Sequence, residues 1–189
     1  MSEPRGIRNN NPLNIRRSGD KWQGQINATT PNPSFPEGKG TITENISSPR
    51  ATGAFRESTE CAFGPTKGSE SSFATEGKGR EGVFCQFSTM EYGWRAAFVI
   101  LCKTYYGRYK LRTIRDIVSR WAPAKENNTA AYIRHVSDYT GIGPDRVLAS
   151  PQECPTDWLL IGYAMAVVEN GKALPAVPML KGFSLAMSS

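Results

Sequence analysis

The sequence predicts a mainly helical domain of α+β type, its small β content carried by one long insertion. Three observations predict it. From residue 88 onward, apolar residues recur at helical spacing between capping and breaking residues. Residues 27–82 have no such period, and 28 of these 56 residues are Gly, Pro, Ser or Thr. The whole chain has 189 residues, 39% of them hydrophobic, which suits one core and hardly two. The expected organisation is a single domain over 1–189, interrupted by the insertion at 27–82.

Within the insertion, Thr41-Ile42-Thr43-Glu44-Asn45-Ile46 is the best strand candidate, by β-branching and alternation. The remainder reads as a long loop, which in a compact domain is functional or disordered. Ser88-Thr89-Met90-Glu91 has the form of a capping box ahead of an apolar helix from 92 to about 105, stopping near Gly107. Thr113-Ile114-Arg115-Asp116 opens a second helix, with Ile114, Ile117, Val118 and Trp121 as its stripe and Pro123 as its stop. A third runs from Asn128 or Thr129 to Tyr139, with Gly141 as its C-terminal break. A short helical turn is expected after Pro144. The main C-terminal helix starts at Pro155 and runs to Glu169, ended by Asn170-Gly171. Residues 179–187 add a short terminal helix.

Composition excludes several functions. The most apolar stretch, 158–168, is broken by Gly162 and is too short to span a bilayer. No apolar run near residue 1 reads as a signal peptide. One histidine, His135, leaves no His-rich metal site, and Cys61, Cys85, Cys102 and Cys154 form no CxxC. Neither metal nor cofactor is therefore expected. Cys61 and Cys85 could pair outside a reducing compartment, but free thiols are the default expectation. The formal charge is +6; the insertion has seven acids and six bases, so the remainder carries +7. Such a body favours anionic partners.

Glu169 is the residue with the strongest chemical promise. It ends a helix, 155–169, that is apolar on nearly every face. Burial and the negative end of the helix dipole both penalise a carboxylate there, and both favour the protonated form that a general acid needs. The bland alternative is a glutamate fraying into solvent at a helix end.

Two resemblances bear on that choice. Arg5-Gly6-Ile7-Arg8-Asn9-Asn10-Asn11-Pro12-Leu13-Asn14-Ile15-Arg16, Trp22-Gln23-Gly24, Phe84-Cys85-Gln86-Phe87 and Tyr92-Gly93-Trp94-Arg95-Ala96 resemble a phage and gut-bacterial family of structural or virion proteins. The likeness continues through Arg120-Trp121-Ala122-Pro123, Glu126–Tyr132 and Thr140-Gly141-Ile142 to Glu169-Asn170-Gly171, and departs at Leu13 and in the insertion. The same strings, from Asn10-Asn11-Pro12-Leu13-Asn14-Ile15-Arg16 onward, are similar to cell-wall glucosaminidases of the lysozyme-like superfamily in circularly permuted order. There the helix ending in Glu-x-Gly comes first; here it comes last.

The second resemblance implies a lysozyme-like helical domain that cleaves β-1,4 linkages of peptidoglycan, as a muramidase- or glucosaminidase-like glycoside hydrolase or a lytic transglycosylase. It makes Glu169 the catalytic acid and puts a second carboxylate in the insertion. Glu44 is the first choice, with Glu37 and Asp20 as rivals. Trp22, Tyr92, Trp121 and Tyr132 are candidates for a sugar groove, although core packing competes for each. Asn10, Asn11 and Asn14 are turn formers whose amides could also meet N-acetyl groups. Expected partners are peptidoglycan glycan strands and other virion proteins, without membrane insertion. The expected location is a phage particle, or the host cytoplasm before delivery to the wall. A non-catalytic virion or wall-binding protein with the same fold is the alternative. A nucleic-acid binder, suggested by Arg5, Arg8, Arg16 and Arg17, ranks last for want of a motif.

Overall fold

The computed structural model describes residues 3–26, 83–125 and 127–188. The described chain is mainly helical. It contains α1 (Arg5–Arg8), α2 (Met90–Phe98), a π-helical continuation of α2 (Val99–Arg108), α3 (Ile114–Trp121), α4 (Thr129–Thr140), α5 (Pro155–Asn170) and α6 (Ala176–Met187). Among the described residues, β pairing is limited to two antiparallel bridges, Arg16 with Phe84 and Gln25 with Phe87. The strand candidate at 41–46 lies outside the described residues. The flanks of the insertion meet, since the Ile26 amide donates to the Gln86 carbonyl at 2.9 Å.

Local chemistry accounts for most helix ends. The Thr113 hydroxyl accepts from the Asp116 amide at 3.1 Å, and the Asn128 side chain accepts from the Ala131 amide at 3.1 Å. α4 ends at Gly141 and α5 at Gly171, whose φ of 67° is the left-handed turn that glycine adopts without strain. α2 starts at Met90, two residues ahead of the expected 92, with Thr89 rather than Ser88 as N-cap. The Ser88 amide is already committed to the Gly24 carbonyl at 2.8 Å, which holds Ser88 in the extended segment. The residues after Pro144 form a turn rather than a helix. α6 begins at Ala176, earlier than expected, because Pro178 falls in the first turn, where its missing N–H is not needed.

Two elements were not legible as periodic patterns. α1 is a single turn. The π-helical stretch closes with the Tyr109 amide on the Thr104 carbonyl at 2.9 Å, five residues back.

The core joins these helices through three buried tryptophans, Trp94, Trp121 and Trp158. Trp94 stacks on Phe98 at 5.6 Å, and Phe98 meets Phe183 of α6 edge-on at 5.0 Å. α6 can cross α2 closely because Gly182 sits on Trp94; a Cβ there would run into the tryptophan Cβ. Tyr105 meets Trp121 edge-on at 6.4 Å, tying the π-helical stretch to α3. Burying side chains of this size is worth about 1.5–3 kcal/mol each. Cys85, Cys102 and Cys154 are free thiols, and burial pushes the first two up to about 12, where they are inert. Cys61 lies outside the described residues.

Candidate active site

Glu169 sits in the last turn of α5, and three other parts of the chain meet its carboxyl. The Trp121 indole N–H, from the end of α3, donates to Oε1 at 3.1 Å. The Tyr132 hydroxyl, from α4, donates to the same oxygen at 3.2 Å and lies 3.4 Å from the Met165 carbonyl. The Asn14 amide, from the N-terminal turn, is 3.3 Å from both Oε2 and the Glu169 backbone carbonyl. That carbonyl is one of the orphan acceptors of a helix C-terminus, so Asn14 caps the helix and touches the acid at once.

Burial raises the pKa of Glu169, while the bonds from Trp121, Asn14 and Tyr132 and the positive charge of Arg5 pull it down; burial wins. All three hydrogen-bond donors are neutral. The carboxyl is packed on most sides, yet the residue as a whole is only half-buried and its bonds are partly exposed. Burial thus favours the protonated form of this carboxyl more than in a solvated glutamate.

The asparagine cluster divides. Asn11 is completely buried, its Nδ2 donating to the Ile15 and Cys85 carbonyls, each at 2.9 Å, while its Oδ1 accepts the Ile15 amide at 2.8 Å. It has no capacity left for an N-acetyl group, so the structure makes it a staple of the turn. Asn10 and Asn14 both hold φ near +50°, a conformation that Asn tolerates better than most residues. Asn10 donates to the Phe87 carbonyl at 3.0 Å. Asn14 is buried, and its Oδ1 has no partner among the described residues.

The aromatic residues divide similarly. Trp121 and Tyr132 are buried to 0% and 2% exposure. They cannot offer ring faces to a sugar; their polar atoms hold Glu169 instead. Trp22 and Tyr92 are half-buried. Tyr92 covers Gly24, where a Cβ would strike its ring, so the Trp22-Gln23-Gly24 turn packs on the start of α2. The Asn10 carbonyl abuts Gly93 in the same region. The turn at 9–14 thus reaches the start of α2 through Asn10 and the Glu169 carboxyl through Asn14.

Asp20 is exposed and accepts the Ser18 hydroxyl at 2.7 Å. Glu44 and Glu37 lie outside the described residues. Asn170 was not singled out from sequence. Its buried amide donates to the Pro12 carbonyl at 2.7 Å and the Ala166 carbonyl at 2.8 Å, tying the N-terminal turn to α5 beside the acid. Its position in Glu169-Asn170-Gly171 was the available signal. Among the described residues, no group of three or more His, Cys, Asp and Glu is arranged to hold a metal ion.

No family model matches the chain. Over 170 residues, 88% of its length, it is 30% identical to Protein P5 of Pseudoalteromonas phage PM2, and the match spans 71% of that protein.

Proposed function

The chain belongs to the family of Protein P5 of Pseudoalteromonas phage PM2, and from the surroundings of Glu169 we propose that it is a peptidoglycan-cleaving glycosidase with Glu169 as general acid. One observation carries the reading: a carboxyl whose pKa burial has raised, fixed by donors from three other parts of the chain. Cleavage of a β-1,4 glycan begins with proton transfer to the leaving oxygen. A neutral Glu169 supplies that proton. The carboxylate left behind is then stabilised by Trp121, Tyr132 and Asn14, because hydrogen bonds to a charged acceptor strengthen. The site can therefore hold both protonation states that a turnover needs.

A second carboxylate, or a bound water, completes the reaction on the opposite face of the sugar. Glu44 remains the first choice on the resemblance to permuted lysozyme-like enzymes, with Glu37 and Asp20 behind it. Trp22, Tyr92 and Asn10 would bind glycan beside the acid. The protein would act from a phage particle, among other virion proteins, or from the host cytoplasm on its way to the wall. No described helix is long and apolar enough to cross a membrane.

The test compares the protein with Glu169→Gln on purified peptidoglycan sacculi, following loss of turbidity and the products by mass spectrometry. Removing a general acid costs roughly 10²- to 10⁴-fold in rate. Equal activity of the variant would exclude Glu169 as the acid.

One observation favours a second reading, a non-catalytic phage structural protein. The family is established through a phage protein whose name carries no activity. The Glu169 bonds would then serve only to join α3, α4, α5 and the N-terminal turn. A wild-type protein that releases no glycan from sacculi would decide for it.

A further inference from the structure

We infer that the outer surface formed by the end of the π-helical stretch and α3 binds the phosphate backbone of nucleic acid. Residues 103–120 contain Lys103, Arg108, Lys110, Arg112, Arg115 and Arg120, against Asp116 as the one acid. Much of the +7 that lies outside the insertion is therefore concentrated in one short stretch. Arg115 is neutralised by Asp145 through two bonds of 2.6 and 2.8 Å. Arg108, Lys110, Arg112 and Arg120 have no carboxylate partner among the described residues.

Fixed geometry distinguishes these cations from an ordinary solvated face. The Arg120 guanidinium lies over the Tyr109 ring at 4.3 Å, and Arg108 approaches the same ring at 5.9 Å. One phenol thus gathers two guanidinium groups. Arg112 lies over Tyr106 at 3.6 Å and donates to the Tyr106 carbonyl at 3.2 Å. Tyr106 is itself held edge-on against buried Trp158 at 5.2 Å. A guanidinium stacked on an aromatic face keeps its N–H edge outward and has already lost much of its rotamer freedom. It is thus prepared for bidentate contact with a phosphate.

The backbone here is irregular as well. Arg108 closes the π-helix, and Lys110 holds φ at +58°, a conformation that a lysine rarely adopts.

The chemistry favours nucleic acid over the other polyanions. Duplex DNA presents a charge about every 1.7 Å of axis, dense enough to meet several clustered cations together. The carboxylates of a glycan strand are far sparser. A lipid surface would call for apolar side chains to insert beside the cations. The exposed large apolar residues, among them Val147, Leu160, Val177 and Leu180, all lie outside 103–120. Because no base-reading element accompanies the cations, binding should be independent of sequence. The inference does not rest on the Glu169 reading, since none of these residues contacts that carboxyl.

The experiment measures binding of the full chain to a labelled 30-base-pair DNA duplex across a salt series. It compares wild type with Arg108→Ala/Lys110→Ala/Arg120→Ala, and with a control of equal charge loss, Lys125→Ala/Arg134→Ala/Lys172→Ala. Thermal unfolding verifies that all three are folded. The wild type should bind with affinity falling steeply as salt rises. The patch variant should bind more weakly, its log–log salt slope smaller by about 3, one for each phosphate contact removed. The control should keep most of the wild-type slope. No binding at low salt, or equal loss in patch variant and control, would overturn the inference. So would tighter binding, at equal phosphate, to phosphatidylglycerol/phosphatidylcholine vesicles than to the duplex.

Discussion

Asn11 and Asn14 are the same residue three positions apart in one turn, both buried, and they do opposite things. Every bond that Asn11 makes closes on backbone, with two carbonyls accepting from its amide and one N–H donating to its oxygen. Asn14 divides a long contact between a helix carbonyl and a carboxyl, and its own oxygen is left over. The first network is complete and therefore rigid. The second is open-ended around a group that gains and loses a proton. Buried polar atoms alone do not mark a functional site; incomplete satisfaction beside a titratable group is the more telling sign.

The comparison is broken most severely at Asn11. Asn11→Ala would remove all three bonds and strand the Ile15 amide and the Cys85 carbonyl in the interior, while the Ile15 carbonyl keeps the Cys85 amide. With a penalty of about 1–3 kcal/mol for each unsatisfied group, partly relieved by relaxation, the loss should reach about 3–5 kcal/mol. Urea denaturation measures it. A loss below 1 kcal/mol would show that the turn does not depend on Asn11. Asn14→Ala, by contrast, should cost much less and act chiefly on Glu169.

A second effect, of intermediate size, separates the open network from the closed one by pH. The folded-state pKa of Glu169 is raised above its unfolded value. Between those two values the native state binds more protons than the unfolded state, so stability falls as pH rises through that window. The contribution is fully present below the usual glutamate range and is lost once pH passes the folded value. The slope from one group is at most about 1.4 kcal/mol per pH unit. Glu169→Gln cannot ionise and should lack this component. The difference between wild-type and variant stability curves from pH 4 to 8 isolates it, and parallel curves would mean that Glu169 titrates as it does in the unfolded chain.

Much of the helical frame was legible because local chemistry writes it. Thr113, Asn128, Gly141 and Gly171 each mark an end, and each acts where expected. Periodicity could not reveal α1, a single turn that depends on α5: a Cβ on Gly6 would meet the Asn170 side chain. Nor could it reveal π geometry, which changes which residues share a face without changing composition. At the candidate site, the apolar run ahead of Glu169 announced a desolvated carboxyl. Groove and core competed for Trp121 and Tyr132 in the sequence, and both rings are in the core. Apolar spacing carries no information on where an indole N–H or a phenol O–H points, and that direction turns two core aromatics into partners of the acid.

The smallest effect tests that direction. Tyr132→Phe keeps the ring that fills the core and deletes only the hydroxyl that donates to Glu169 Oε1. That bond lowers the pKa of the acid, so its loss should move the Glu169 pKa further up. The phenol's own ionisation is pushed far out of range, first by burial and then by the neighbouring carboxyl, so it adds no titration of its own. Stability should change by about 1 kcal/mol, since a single net hydrogen bond is lost while Trp121 still serves the same oxygen. Titration of the Glu169 carboxyl carbon by NMR reads the shift directly. A pKa that stays in place or falls would mean that the hydroxyl favours the Met165 carbonyl, 3.4 Å away, over the carboxyl. The acid would then rest on Trp121 and Asn14 alone.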